Sequence, residues 1–182
     1  MKASKRTAIA RSAISKPLRW ILENGHWSLE GRRVFHQGPG RPDNPDRDAL
    51  RSVSKICLEY DPNWGPRSRK ILGHGNCSRA VSIYVLNVLP PRFRYAAMRD
   101  LRDTASKFGV ALIAVRRKIK GSTAKWDAWA DGWLTGARTF QRVFTPRELR
   151  DLARKYFHEI GVSCSDDDTV LIEARYPRRK ET

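Results

Sequence analysis

The sequence is poor in cysteine and has no long apolar run. Its three cysteines, Cys57, Cys77 and Cys164, are widely spaced and form no CxxC pair, which argues against a zinc site and a disulfide framework. We interpret them as buried thiols of a protein in a reducing compartment. No segment approaches the roughly 20 apolar residues of a membrane span, and the N-terminus has no apolar signal core. We therefore expect a soluble, cytoplasmic protein without a bound metal.

Acidic residues are also scarce. The 182 residues include 36 Lys and Arg against 19 Asp and Glu, which gives a net charge of +17. A field of this sign attracts polyanions, so the charge predicts a nucleic-acid partner, either DNA or RNA. An anionic membrane surface, an acidic protein partner and solubility alone are weaker explanations. One internal basic run comprises Arg116, Arg117, Lys118 and Lys120.

The length of the chain suits one ordinary domain. We divide it into a basic N-terminal arm, residues 1–16, and a single domain, residues 17–182. Residues 116–144 lack a clear period and are predicted to be a functional excursion, because long irregular segments in compact domains usually carry function or are disordered. Its aromatic residues either stack on unpaired bases or pack the excursion onto the domain; they are Trp126, Trp129, Trp133, Phe140 and Phe144.

Strand and helix patterns alternate along the domain. A short helix is expected from Pro17 to just before Gly25, and further helices at 46–53, 91–107 and 145–158. Thr145 and Glu148 have the spacing of a capping box. Strands are expected at 32–36, 55–60, 80–88, 110–115 and 169–176, the fourth being apolar enough for burial on both faces. This alternation predicts an α/β fold with a mostly parallel sheet flanked by helices.

A glycine turn follows the first predicted strand. Gly38 and Gly40 allow close approach of a ligand to the backbone, and Asp61 follows about 20 residues later, at the end of the next strand, where an acid commonly accepts ribose hydroxyls. Glu59 competes for that role, and a plain tight turn is the alternative for the glycines. The histidines, among them His36, His74 and His158, show no spacing that couples them to a nucleophile or a metal, so no catalytic role is assigned to them.

Several blocks between residues 6 and 152 resemble a known family, the methyltransferases found with DNA phosphorothioation gene clusters and their bacterial and phage relatives. The blocks are Arg6-Thr7-Ala8-Ile9, Ser15-Lys16-Pro17, Glu23-Asn24-Gly25, Tyr60-Asp61-Pro62, Tyr84-Val85-Leu86-Asn87-Val88, Asp131-Gly132-Trp133-Leu134-Thr135, Thr139-Phe140-Gln141-Arg142-Val143-Phe144-Thr145 and Glu148-Leu149. The resemblance implies a Rossmann-like class I methyltransferase fold and S-adenosylmethionine as cofactor.

The resemblance also implies roles for particular residues. It places Gly38 and Gly40 against the methionine part of the cofactor, Asp61 on its ribose, and Asn87 near the cofactor at the end of a central strand. The block that ends at Gln141 would border the substrate, which gives Asp131, Thr139, Phe140 and Gln141 as substrate-binding candidates. The basic run adds Arg116, Arg117 and Lys118 to these candidates.

The sequence departs from the family pattern at two places. The first motif, His36-Gln37-Gly38-Pro39-Gly40-Arg41-Pro42, lacks the usual acid and has a proline at a flexible position. Asn87-Val88-Leu89-Pro90 does not match the motif for methylating exocyclic base amines. Two functions lead: a methyltransferase acting on nucleic acid or a nucleic-acid-associated substrate, and a catalytically inactive relative that binds nucleic acid or serves as a structural component of a larger assembly. A third, weaker alternative is a regulator that uses its basic surface to bind an acidic protein.

Overall fold

The computed structural model describes residues 12–64, 72–118, 125–127, 131–134 and 139–178, with the backbone alone at residues 125–127. Four helices are described: α1 (Lys16–Glu23), α2 (Pro45–Val53), α3 (Pro91–Thr104) and α4 (Pro146–Arg154). The described strands are β1 (Arg33–Gln37), β2 (Ile56–Tyr60), β3 (Cys77–Ile83), β4 (Ala105–Arg116), β5 (Lys125–Asp127), β6 (Gly132–Leu134), β7 (Phe140–Gln141), β8 (Phe157–Ser165) and β9 (Thr169–Pro177). Short 3-10 turns lie at Gly25–Trp27 and Leu86–Val88.

The main sheet has six strands in the order β2-β1-β3-β4-β9-β8. Strands β2, β1, β3 and β4 run parallel, whereas β9 pairs antiparallel with both β4 and β8. The predicted α/β fold with a mostly parallel sheet flanked by helices is therefore confirmed. Because parallel strands share a direction, the carboxyl ends of β1 to β4 meet at one edge of the sheet.

Helices cover both faces of the main sheet. On one face, α3 and α4 bury Met98, Leu101 and Leu149 against alternate residues of β4 such as Ile113. On the other face, α1 and α2 bury Leu18, Ile21 and Leu50 against Val34 and Leu112. Strand β4 is buried on both faces from Val110 to Val115, as its continuous apolar run predicts.

Local signals explain where several helices begin. Proline occupies the first turn of all four described helices, where its missing N–H costs no hydrogen bond. Helix α4 has the predicted capping box: the Thr145 side chain accepts from the Glu148 N–H, and the Glu148 carboxylate accepts from the Thr145 N–H. The start of α1 packs onto α2, because the Ser15 N–H donates to the buried Asp46 carboxylate at 2.7 Å. Residues 1–11 of the predicted basic arm lie outside the described residues.

Several predicted boundaries are wrong. The helix expected to reach residue 107 ends at Thr104, and Gly109 belongs to β4 instead of ending the helix. The cause is a bulge: Ala105 pairs with Cys77 and Val110 with Arg79, so four residues of β4 lie opposite one of β3. The strand expected at 80–88 is Cys77–Ile83, because the chain turns at Tyr84 and then forms the 3-10 turn.

The C-terminal third contains strands that the sequence does not predict. The helix expected at 145–158 ends at Arg154, and β8 begins at Phe157. Most of β8 is exposed or half-buried, so its sequence lacks the apolar alternation of a half-buried strand. The excursion at residues 116–144 contains a small antiparallel sheet in the order β5-β6-β7.

The cysteines lie in the main sheet, and no disulfide joins them. Cys77 is buried, as predicted, whereas Cys57 and Cys164 are only half-buried. Burial raises the pKa of the Cys57 thiol to about 11, so this thiol is protonated at neutral pH. Within the described residues, no helix is both long and apolar enough to cross a membrane.

Candidate functional site

A cavity of about 350 Å³ opens where the parallel strands end. Its walls come from the loop after β1, the turn after β2, the segment between β3 and α3, the end of β4, and β7. Ligands of open α/β sheets bind at this edge. Six of the eleven predicted site residues line the cavity: Gly38, Gly40, Asp61, Asn87, Arg116 and Gln141.

The glycine loop lies close to the segment after β3. Gly38 has φ +63°, and a Cβ on it would stand 2.6 Å from Val85 Cγ2. Both the backbone conformation and the space therefore require glycine at this position. The Gly38 N–H donates to the Tyr60 carbonyl at 2.9 Å, which joins the loop to the end of β2.

Asp61 connects the glycine loop to the turn after β2. Its Oδ2 accepts from the Gly40 N–H at 3.0 Å, and its Oδ1 accepts from the N–H groups of Asn63 and Trp64 at 2.8 and 3.1 Å. The side chain is buried beside the cavity. A carboxylate has about four acceptor positions, so three bonds leave one on Oδ2.

Glu59, the competing acid, is bound inside the protein. Its Oε2 accepts from Arg47 at 2.6 Å and from Arg51 at 2.7 Å, both on α2. Glu59 does not line the cavity. Glu59 thus lies within β2 and is held by α2, whereas Asp61 follows the last residue of β2 and lines the cavity at the edge of the sheet.

Asn87 joins three segments through its amide group. Its Nδ2 donates to the carbonyl of Arg116 at 3.2 Å and to the carbonyl of Arg142, and its Oδ1 accepts from the Arg116 N–H at 2.9 Å. Its own carbonyl accepts from the Arg142 N–H at 2.6 Å. The amide thus holds the ends of β3 and β4 and the segment after β7 together, while its direct contact with a cofactor stays a prediction.

The floor of the cavity contains a buried amide network. Gln37, at the end of β1, donates to the carbonyl of Ala97 on α3 at 2.8 Å and accepts from the Ser82 hydroxyl of β3 at 2.9 Å. Gln37 occupies the position next to His36, and both side chains are buried. The network fixes the distance between the glycine loop and α3.

Tyr84 and Arg116 form one wall of the cavity. Tyr84 has φ +61°, an uncommon conformation for an aromatic residue, and its hydroxyl hydrogen-bonds the Thr169 hydroxyl at 3.0 Å. The Arg116 guanidinium lies 4.8 Å from the centroid of the Tyr84 ring. The sequence analysis gives Arg116 as a substrate-binding candidate but assigns no role to Tyr84, since nothing in the sequence indicates a left-handed conformation at that residue.

Comparison with solved structures identifies the architecture. The 1,6-didemethyltoxoflavin-N1-methyltransferase of Burkholderia thailandensis, with bound 1,6-didemethyltoxoflavin and S-adenosylhomocysteine, superposes with a TM-score of 0.62 at 16% identity over 88% of this chain and 77% of its own. A protein of Pyrococcus horikoshii OT3 gives 0.60 at 12% identity over 90% and 92%. An S-adenosylmethionine-dependent methyltransferase of Mesorhizobium loti gives 0.52 at 12% identity over 85% and 99%. The fold is that of the class I methyltransferases.

The similarity at this level is one of fold. No protein-family model and no curated protein matches the sequence. Within the methyltransferase fold, the cavity of this chain lies at the edge where the parallel strands end. The acceptor of a methyl group must therefore be argued from the side chains of this chain.

Asp131 does not line the cavity but holds the excursion onto the domain. Its Oδ2 accepts from Arg94 Nη1 at 3.0 Å and lies 3.2 Å from Arg142 Nε, while Arg142 Nη2 donates to Glu148 at 2.6 Å. Burial lowers the pKa of Arg94, and Asp131 opposes this effect. The network joins α3, the excursion and α4 of the methyltransferase fold.

Thr139 and Phe140 lie inside the protein. Both are less than a tenth exposed, and neither lines the cavity. The Phe140 ring packs against Gly132 of β6, where a Cβ would overlap it. Phe140 therefore belongs to the core of the small sheet. Of the described residues between Asp131 and Gln141, Gln141 alone lines the cavity.

The basic run divides at the end of β4. Arg117 donates to the carbonyl of Asp166 at 2.6 Å, and Lys118 lies 3.3 Å from the Asp167 carboxylate. Both side chains therefore contact the turn between β8 and β9, and neither lines the cavity. Arg116 alone of the three turns toward the cavity. Trp129 and Lys120 lie outside the described residues, as does the side chain of Trp126.

The histidines lie apart from one another. His36 is buried and lines the cavity, whereas His74 and His158 are exposed and do not line it. Among the residues that the structure describes, no group of three His, Cys, Asp or Glu side chains could hold a metal ion. The histidine positions thus give no further reason to assign a catalytic role.

Proposed function

We propose that the chain binds S-adenosylmethionine in this cavity and transfers its methyl group to a nucleic acid or a nucleic-acid-associated substrate. The observation that carries the proposal is the contact between Asp61 and the Gly38–Gly40 loop at the carboxyl ends of β1 and β2. A glycine turn and an acid in this arrangement suit a nucleotide whose ribose meets the acid. We further propose that the chain is related to the methyltransferases found with DNA phosphorothioation gene clusters, on the strength of the sequence blocks.

The residues of the cavity fit this cofactor. The volume of about 350 Å³ falls in the usual range of about 300–1,000 Å³ for small-molecule sites. Gly38 has no side chain to obstruct a ligand, and Asp61 retains one acceptor position for a hydroxyl. Apolar and aromatic walls suit an adenine ring; they include Tyr60, Trp64, Val85, Leu89 and Phe93.

The chain itself positions the groups that react. Bound S-adenosylmethionine would supply an electrophilic methyl group for transfer to a lone pair of the acceptor. Asp61 holds the glycine loop in place, while Gln37 and Asn87 fix the surrounding segments. Rigid placement is the main requirement of such a displacement, because alignment of the two reactants removes much of the entropic barrier.

The charge of the chain supports a nucleic-acid acceptor. A net charge of +17 on 182 residues exceeds what solubility needs in a small domain. A polyanionic partner gains free energy from such a surface by releasing counterions. Free thiols and a nucleic-acid partner together favour a cytoplasmic location.

A second candidate function is a catalytically inactive relative that binds nucleic acid or assembles with a protein partner. The observation that favours it concerns the glycine loop. Pro39 and Pro42 have no N–H, and the N–H groups of Gly38 and Gly40 already donate to Tyr60 and Asp61. The loop therefore offers few free amides to a ligand.

Calorimetric titration with S-adenosylmethionine and S-adenosylhomocysteine separates the two candidates. The enzyme requires saturable binding by the full chain, weakened in Asp61→Ala and less so in Asp61→Asn, which keeps one acceptor oxygen. Circular dichroism of both variants checks that they are folded. If the wild-type protein shows no binding heat at millimolar ligand, the methyltransferase proposal is contradicted and the catalytically inactive relative is the supported candidate.

A further inference from the structure

Among the residues that the structure describes, two arginines line the cavity, and their surroundings differ. Arg41 is neutralised by Asp43, whose Oδ1 lies 3.0 Å from Arg41 Nε. This contact lowers the pKa of the Asp43 carboxyl. Arg116 makes no ion pair with any carboxylate in the part of the chain that the structure describes, and its guanidinium instead faces the ring of Tyr84. Its positive charge is therefore available to a ligand.

The backbone at Arg116 is held from both sides. Its N–H donates to Asn87 Oδ1 at 2.9 Å, and its carbonyl accepts from Asn87 Nδ2 at 3.2 Å and from the Phe144 N–H at 3.1 Å. Arg116 is also the last residue of β4. These hydrogen bonds therefore fix the position of the Arg116 Cα beside the cavity.

Tyr84 orients the guanidinium. The tyrosine is held in its left-handed conformation by a bond from its N–H to the Ala114 carbonyl at 2.8 Å and by the bond between its hydroxyl and that of Thr169. Contact with a ring face uses none of the five guanidinium N–H donors, which lie in the guanidinium plane. The edge of Arg116 therefore remains able to form paired hydrogen bonds.

We propose that Arg116 binds a backbone phosphate of a nucleic-acid strand and so places the acceptor nucleotide at the cavity. A guanidinium edge matches two phosphate oxygens, which a lysine ammonium cannot do in the same fixed geometry. The proposal rests on the nucleic-acid acceptor of the proposed function. Tyr84 acts as a positioning residue, since it contacts Arg116 and not the phosphate.

The test measures binding of a fluorescein-labelled single-stranded decanucleotide at several salt concentrations, with saturating S-adenosylhomocysteine. Arg116→Gln should weaken binding roughly tenfold and make the negative slope of log K against log salt shallower by about 0.7, the loss of one phosphate contact on a single strand. Arg116→Lys should keep the slope. Lys107→Gln is the matched control, because it removes the same charge from the opposite end of β4.

Three outcomes overturn the inference: an unchanged slope in Arg116→Gln, an equal loss in Lys107→Gln, or no binding of the strand by the wild-type protein. Tyr84→Leu adds a second readout, since loss of the ring should weaken strand binding while the slope stays at the wild-type value. Calorimetry with S-adenosylhomocysteine alone reports separately on the proposed function. If the slope of log K against log salt becomes shallower in Arg116→Gln but the protein binds no cofactor, the phosphate contact is supported and the proposed methyl transfer is contradicted.

Discussion

Gly31 and Gly38 share a backbone conformation but not their surroundings. Their φ angles are +64° and +63°, yet a Cβ would meet nothing within 4 Å at Gly31 and would stand 2.6 Å from Val85 at Gly38. Alanine substitutions at these two positions therefore separate the free-energy cost of a left-handed backbone from the additional cost of overlap with Val85. This distinction matters because a close approach of the loop to the segment after β3 shapes the candidate site.

We expect Gly31→Ala to lower the free energy of unfolding by about 1 kcal/mol, from backbone strain alone. Gly38→Ala should cost about 2–4 kcal/mol, because the overlap with Val85 adds to the same strain. Urea denaturation measures both, and Val85→Ala in the Gly38→Ala background should recover part of the loss. Equal losses of unfolding free energy in Gly31→Ala and Gly38→Ala would mean that Val85 moves aside without cost.

Asp61 is expected to stabilise the protein whether or not a ligand is bound. Asp61→Ala leaves three backbone N–H groups beside the cavity without their acceptor, so the free energy of unfolding should fall by about 2–4 kcal/mol. Asp167→Ala, at a side chain that is 94% exposed, should change it by less than about 0.5 kcal/mol. A small effect of Asp61→Ala in urea denaturation would show that water replaces the carboxylate.

At the scale of elements, the bulge of β4 offers a sharp test. A Cβ at Gly109 would lie 2.8 Å from the Ser106 nitrogen and 2.9 Å from the Cys77 carbonyl, both backbone atoms, whereas a Cβ at Gly161 of β8 meets nothing within 4 Å. Gly109→Ala should destabilise the protein by more than about 2 kcal/mol, and Gly161→Ala should be neutral or slightly stabilising. Thermal unfolding of both variants checks this, and a tolerated alanine at position 109 would refute the bulge.

The capping box of α4 predicts a pH dependence. Burial opposes ionisation of Glu148, but bonds from Thr145 and Arg142 outweigh it and lower the pKa of Glu148 below its ordinary value of 4.5. A carboxyl whose pKa falls on folding stabilises the folded state above its unfolded pKa and loses this effect as the pH drops through the folded value.

The difference in unfolding free energy between wild type and Glu148→Gln should therefore be constant at neutral pH and shrink below about pH 4.5. Denaturant melts from pH 3 to pH 7 measure it. Arg147→Gln serves as control, because its exposed pairing with Asp151 is outside the box. A difference that grows at low pH would contradict the assignment.

At the scale of the whole molecule, the charge opposes folding. With a net charge of +17, the folded state suffers self-repulsion that added salt screens. We expect the thermal midpoint to rise by several degrees between about 0.02 and 0.3 M sodium chloride. A midpoint that falls with salt would show that local ion pairs such as Arg47–Glu59 dominate the electrostatics.

The sequence predicts three strands of the central sheet well, and two of them, β1 and β4, are mostly buried. The runs at β1, β2 and β4 and the glycine loop are apparent in the order of residues alone, since apolar continuity and turn residues act locally. The bulge in β4 and the exposed β8 depend on pairing with distant strands, which leaves no local signal. The site follows the same division: Asp61 and Gly38 are found by spacing, whereas the contacts of Asp131 and Phe140 arise from tertiary packing.

The hydrogen bonds of the Asn87 amide limit which residues can replace it. The carbonyls of Arg116 and Arg142 and the Arg116 N–H face this amide, so an aspartate would set a second acceptor against the carbonyls. Leucine would remove the side-chain partner of all three groups and leave the Arg116 carbonyl only its bond from the Phe144 N–H. Selection for the architecture alone is enough to preserve this residue. The Arg116 side chain makes no such bonds to the backbone. Under the proposed phosphate contact, relatives that do not bind a nucleic acid should therefore keep Asn87 and lose Arg116.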